Sequence, residues 1–221
     1  MITPLRKVPE KRPGKVGGKR DANRRRRSET LARATLDLFL VRGIEDVTID
    51  DIAERAGTAK GNFYRYFDDK AQLVEALLLP LAAVVRKSMR KCAVDLGKAK
   101  APDEVSDAYG RLAATLGVSA IENRDVVQLY LQEHRAPSTE ARSGLRRLAD
   151  ELQQGAFRLS EAGVRHGVVE VKDPRISALA VIGAVENLAL VILRGEHDFS
   201  LPDVANTLIH MVLDGLRVRP A

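Results

Sequence analysis

Within six residues the chain places Lys60, Asn62, Tyr64 and Arg65, with Phe63 between them and Phe67 four residues on. An ammonium, an amide, a phenol and a guanidinium make a set of hydrogen-bond donors suited to a polar, anionic surface. The two phenylalanines, at helical spacing, suit an inner face that anchors the segment. Other chemistries find little support. His134, His166, His197 and His210 fall on different segments, and none pairs with Cys92, the single cysteine, at metal-ligand spacing. Neither a phosphate-binding glycine loop nor a nucleophile elbow is present. We therefore expect no catalytic site, no metal and no cofactor.

Two short helices frame these donors. Thr48 caps the first, with Asp51 in capping-box position and Ile49, Ile52, Ala53 and Ala56 facing inward. Gly57 ends it, and a second helix runs from about Ala59 to Tyr66. This is the layout of a helix-turn-helix, whose second helix enters the major groove. Any helical bundle can hold a helix pair with a glycine turn. What favours the functional reading is the charge beside it: residues 1–27 carry eleven Lys or Arg against Glu10 and Asp21. That end carries +9 and the rest of the chain −3, so a basic arm precedes a slightly acidic body.

The fold class expected is all-α, with about nine helices. Residues 1–23, rich in Pro, Gly and charge, are expected to be a disordered basic arm. Residues 24–70 form a three-helix head that includes the basic run Arg24, Arg25, Arg26 and Arg27. The head's first helix carries Leu31, Ala34, Thr35, Leu38 and Phe39 on one face and ends at Gly43. Asp69, with Gln72 in reciprocal position, opens a long helix that links the head to a helical body over residues 71–221. Body helices are expected near 105–122, 125–135, 139–163, 174–195 and 204–217. The strongest start signal among them is Asp173-Pro174.

The apolar stretch from Ile176 to Leu193 raises the question of a membrane span. Glu186 and Asn187 near its middle argue instead for a helix shared with a partner subunit. The lone cysteine, and an N-terminus without the apolar core of a signal peptide, suit the cytoplasm.

The run Arg42-Gly43, Val47-Thr48-Ile49, Ile52-Ala53, Ala56-Gly57, Lys60-Gly61, Phe63-Tyr64-Arg65-Tyr66-Phe67, Lys70 and Leu73 resembles the TetR family of bacterial regulators over about 45 residues. In the body, the helix plan and the pattern Asp173-Pro174 followed by Gly183-Ala184-Val185-Glu186 agree as well. The resemblance implies that Thr48, Tyr64 and Lys70 hold DNA phosphates, a task their hydroxyl, phenol and ammonium suit. Lys60 and Asn62 are the candidates for base edges, lysine towards guanine and asparagine towards adenine, with Arg65 beside them. Gly61 lets the backbone approach DNA closely. Alanine stands at position 59, where the family often has a capping Ser or Thr. Thr58 is expected to take over that cap, and Thr35 replaces a common alanine. The arm is longer and more basic than most, and either lies in a groove or adds nonspecific affinity.

For the body, the resemblance implies dimerisation through the last two long helices and an effector pocket among the others. Ala180, Gly183, Ala184, Asn187 and Val191 form a small-residue stripe assigned to the homodimer interface. Val204, Leu208, Met211 and Val212 of the last helix join the same seam. The bulkier Leu179, Ile182, Glu186, Leu190 and Leu193 are assigned to the subunit's own interior. Tyr109, Gln128, Tyr130, His134 and Glu186 are the pocket candidates, each also readable as packing. The expected function is a repressor released from a palindromic DNA operator by a small hydrophobic or amphipathic effector. A regulator without a small-molecule effector is the alternative, favoured if side chains fill the body. An enzyme with an incidental helix pair stands far behind.

Overall fold

The computed structural model describes residues 18–167, 170–195 and 197–215, and among them every regular element is an α-helix. The head comprises α1 (Lys19–Arg42), α2 (Ile49–Arg55) and α3 (Lys60–Phe63). The body comprises α4 (Lys70–Leu96), α5 (Pro102–Glu122), α6 (Arg124–Glu133), α7 (Ser143–Arg165), α8 (Pro174–Arg194) and α9 (Leu201–Gly215).

The first helix starts at Lys19, so residues 19–23 belong to α1 rather than to an arm, while residues 1–17 lie outside the described residues. Its inner face is the one expected: Leu31, Ala34, Thr35 and Phe39 are buried. The Thr35 hydroxyl donates to the Leu31 carbonyl at 2.8 Å, which satisfies the polar group that distinguishes it from alanine. Gly43 ends α1 with φ +79°, where an added Cβ would stand 3.0 Å from Glu133 Oε1.

Thr48 caps α2 in a full capping box with Asp51. At the far end Gly57 takes φ +63°, the Thr58 amide donates to the Ala53 carbonyl, and the Gly57 amide donates to the Glu54 carbonyl. That pair of bonds is a Schellman motif, which needs a left-handed residue and so favours glycine. Beyond it α3 is shorter than expected. It is α-helical only to Phe63, and Arg65 and Tyr66 turn back on the carbonyls of Asn62 and Phe63.

The core does not break where the head ends. One cluster of buried residues runs from Phe39, Ile52 and Phe63 through Leu73, Val74 and Leu78 of α4 to Leu129, Tyr130 and Leu145 of the body. A second, further along α4, joins Val85, Met89, Cys92 and Leu96 to Val105 and Ala108 of α5 and Leu159 and Ala162 of α7. Thus α4 is the spine, packed between α5 and α7, and α8 lies against α7 and α6.

Helix α8 is long and apolar enough to cross a membrane by composition, with a mean hydropathy of 2.2, yet only 6% of that stretch is buried within the chain. Ala178 is its one buried residue. Glu186, near the middle of the helix, faces α6 and pairs with Arg135. Leu179 does not face the interior as expected; it is 47% exposed, because Ala178 takes the inward position one residue earlier.

Candidate nucleic-acid interface

The head holds its short third helix through aromatic packing. Phe63 is fully buried, Phe67 lies 5.7 Å from it, and the exposed Tyr64 rests edge-on against Phe63 at 5.5 Å. Those contacts fix which way α3 points, and leave Lys60, Gly61, Tyr64 and Arg65 on the exposed side, as the sequence pattern predicts. An added Cβ at Gly61 would meet nothing within 4 Å. Among the described residues no neighbour requires a glycine there.

Several donors already have partners. Lys60 Nζ contacts Asp50 Oδ2 at 2.7 Å, and that hydrogen bond, followed by the Asp50 charge, holds its pKa above the usual lysine value. Both groups are exposed, so the pair is weak and exchangeable for a stronger anion. Asn62 Nδ2 donates to Thr58 Oγ1 at 2.6 Å. This corrects the expectation for Thr58: its hydroxyl receives Asn62 instead of capping α3, and Ala59 occupies the cap with no side-chain bond. The Thr58–Asn62 bond orients the amide from one turn before.

The phosphate contact expected at Lys70 does not fit the geometry. Its ammonium donates to the carbonyls of Ile44 at 2.6 Å, Val47 at 3.1 Å and Glu45 at 3.2 Å. An ammonium has three donors, and all three are engaged in closing the turn between α1 and α2. Sequence spacing could not reveal this, because the acceptors lie more than twenty residues upstream. Thr48 is exposed, but its hydroxyl donates to Asp51 Oδ2 at 2.6 Å while accepting from the Asp51 amide. The Thr48 hydroxyl and amide, with Arg42, hold the Asp51 carboxyl at about 2. Arg26 and Arg27 are exposed on α1, whereas the side chains of Arg24 and Arg25 lie outside the described residues.

The structure brings three of the five pocket candidates into contact and places the other two apart from them. Tyr130, His134 and Glu186 meet at the α6–α8 contact with Arg135, which the sequence pattern did not single out. Tyr109 sits apart, donating to the Leu159 carbonyl at 3.4 Å, and burial pushes its phenol up. Gln128 is half-buried elsewhere on α6. An open cleft of about 340 Å³ lies instead between α4 and α5, lined by Asp95, Lys98, Ala99, Glu104, Asp107 and Arg111. Its polar, mixed-charge walls do not match the apolar site expected. Cys92 is buried, and burial, with the Asp95 charge, pushes its thiol up to about 11.

Of the interface candidates, Ala180, Asn187 and Met211 are exposed. Gly183, Ala184, Val191, Val204, Leu208 and Val212 are partly so, and a Cβ added at Gly183 would meet open space.

A helix-turn-helix head, fixed by its own aromatic core and carried on a helical body, defines a DNA-binding transcriptional regulator. The family model for bacterial regulatory proteins of the tetR family matches residues 31–77, and a tetracyclin repressor-like C-terminal domain matches residues 101–190. The chain belongs to the TetR family. It is 28% identical over 193 residues to the HTH-type transcriptional repressor KstR2 of Rhodococcus jostii, covering 86% of this chain and 91% of that one. Among solved structures, a putative TetR-family regulator from Syntrophomonas wolfei aligns with TM-score 0.67 at 18% identity, covering 89% of this chain and 99% of that one. The regulator FadR of Bacillus subtilis, in complex with stearoyl-CoA, aligns with TM-score 0.63 at 14% identity, covering 86% and 99%. These two structural likenesses concern the fold.

Proposed function

We propose that the protein represses transcription by binding a palindromic operator as a homodimer, and that a small hydrophobic or amphipathic molecule releases it. It acts in the cytoplasm, by binding alone, with no chemical step. The observation that carries this reading is α4, one helix from Lys70 to Leu96. At 1.5 Å per residue it spans about 40 Å. Lys70 in its first turn grips the head's α1–α2 turn, and its far half packs between α5 and α7. Pro80 lies inside α4, where it removes a backbone donor and loosens the helix at one point. Two heads reading a palindrome must stand about 34–36 Å apart, or a multiple of that. A molecule that wedges α4 away from α5 or α7 changes that distance. Only one with different affinity for the two arrangements shifts the balance.

The repressor sign follows KstR2, named a repressor, and the ligand class follows the Bacillus FadR, whose structure holds a fatty acyl-CoA. On DNA, we assign base reading to Lys60 and Asn62, with Gly61 allowing close approach. Thr48, Thr58, Tyr64, Arg65 and Arg24 to Arg27 are the supporting contacts. On the subunit seam, Ala180, Gly183, Ala184, Asn187 and Val191 of α8 pack with Val204, Leu208, Met211 and Val212 of α9.

A second reading, a regulator with no small-molecule effector, is favoured by one observation. Among the described residues no buried side-chain polar atom lacks a partner, so no orphan group marks a ligand's polar end. The test is a thermal-shift screen with fatty acids, acyl-CoAs and apolar metabolites, followed by operator titration. A hit that lowers operator affinity by about 1–3 kcal/mol supports release by effector. Hits that leave DNA affinity unchanged, or no hits, promote the second reading.

A further inference from the structure

Two carboxylates, one on α6 and one on α8, are held at the end of α6. Glu133, the last residue of α6, is 8% exposed and accepts the Ile44 amide of the head at 3.2 Å through Oε1. Its other oxygen accepts Arg142 Nε at 2.7 Å. Arg142 also reaches Glu45 Oε1 at 3.4 Å, and Thr139 donates to the same Glu45 oxygen. The other carboxylate is Glu186 of α8. Tyr130 donates to its Oε1 at 2.9 Å and Arg135 to its Oε2 at 2.8 Å, while His134 Nε2 lies 3.3 Å from Oε2. The His134 ring stacks on Tyr130 at 4.4 Å and donates through Nδ1 to the Tyr130 carbonyl at 2.8 Å. Burial raises the Glu186 carboxyl, but its contacts with His134, Arg135 and Tyr130 outweigh it and hold the group at about 2.

We propose that residues 130–135 form a two-sided clamp that positions the DNA-binding head. Glu133 holds the head's turn, and Tyr130, His134 and Arg135 hold α8, so a displacement of α8 at the subunit seam is passed to the recognition helix. The head is joined covalently to the body only through α4 and shares its apolar core, but apolar packing is non-directional. The Ile44–Glu133 bond, flanked by the Glu45–Arg142 pair, adds a directional second point of attachment. Ile44 is fully buried in the cluster that holds Ile52 and Phe63, so moving it moves α2 and α3. Glu186 adjoins Asn187, one of the residues assigned to the seam. Glu133 is held by two donors and Glu186 by Tyr130 and Arg135, and the two sets share the backbone at the end of α6, which makes that segment a stiff link.

This inference rests on the dimer reading for its consequence on DNA, but the clamp itself is testable within one subunit. The experiment is amide hydrogen exchange at Ile44 in the full-length protein and in Glu186→Gln, with Leu73 and Val74 as reporters of global opening and Glu133→Ala as the positive control. Glu186→Gln is expected to speed exchange at Ile44 at least threefold while Leu73 and Val74 keep their rates. A merely structural role for Glu186 moves all three amides together or none of them. Unchanged exchange at Ile44 in Glu186→Gln overturns the clamp. That variant decides the matter even if Glu133→Ala does not fold.

The second arm uses duplexes that the native protein selects from a randomised pool, rebuilt with half-site spacings changed by one and two base pairs. Glu186→Gln should discriminate among spacings at least threefold less than the native protein, and equal discrimination counts against the clamp. If the native chain selects no duplex, the DNA reading fails, and the exchange arm still decides the clamp.

Discussion

At the scale of single residues, Gly61 and Asn62 stand side by side on α3 and are held differently. Gly61 has open space around its Cβ position, so Gly61→Ala should stabilise the free protein by up to about 1 kcal/mol. On DNA the added methyl is expected to cost about 1–3 kcal/mol of operator affinity through crowding. Urea unfolding and operator titration measured together should show the two effects with opposite sign. Lys70 is the reverse case, because its ammonium closes the α1–α2 turn. Lys70→Met should lower unfolding free energy by about 1–3 kcal/mol as three carbonyls, two of them part-buried, lose a charged donor. If stability holds and only DNA binding falls, the phosphate role stands after all. Asp51 gives a pH signature. Its carboxyl is held at about 2 against an ordinary 3.8, so the stability it lends is complete above about pH 4 and lost as pH falls through 2. Asp51→Asn should therefore unfold at a midpoint that varies less between pH 4 and pH 2 than that of the native protein.

At the scale of elements, α8 decides how subunits meet. Within one chain it presents Ile176, Leu179 and Val185 to solvent, an apolar exposure that a soluble monomer seldom sustains. The space beside Gly183 is open within the subunit. Gly183→Leu should therefore fold normally and still associate poorly, because the crowding arises only across the seam. Sedimentation velocity at micromolar concentration, paired with thermal unfolding, separates those outcomes. A native chain that sediments as a monomer would defeat the dimer reading altogether.

For the whole molecule, the uneven charge governs how DNA is found and held. Residues 1–18 contain five Lys or Arg and one Glu. Removing them should reduce the slope of log affinity against log salt by about 0.9 for each phosphate that the arm had neutralised. If the arm lies along the backbone, affinity falls alike for all sequences. If it enters the minor groove, the preference for A·T pairs beside each half-site disappears with it. Binding measured at three salt concentrations on two flanking sequences distinguishes these cases, and an unchanged slope means that the arm does not touch the phosphates.

The residues whose roles depend only on near neighbours were readable from the sequence. The Thr48–Asp51 box, the glycine stop at Gly57, the buried spacing of Phe63 and Phe67 and the Asp173-Pro174 start are all set within four residues by backbone geometry. The order of the nine helices found among the described residues was readable too, but not the start of α1 or the end of α3. Where the partner is distant in sequence, local reasoning had no access to it. Lys70 looks like a free ammonium at a helix start until the fold brings three carbonyls from 23–26 residues upstream against it. Tyr130, His134 and Glu186 are brought together with Arg135 by the α6–α8 contact, while Tyr109 is held elsewhere by α7. Leu179 is exposed where it was expected inside, and Ala178 is buried, because the rotation of a nearly all-apolar helix is set by its neighbours and not by its own pattern. Capping, spacing and charge are short-range properties written along the chain, whereas the pairing of a donor with its acceptor across helices exists only once the core has packed.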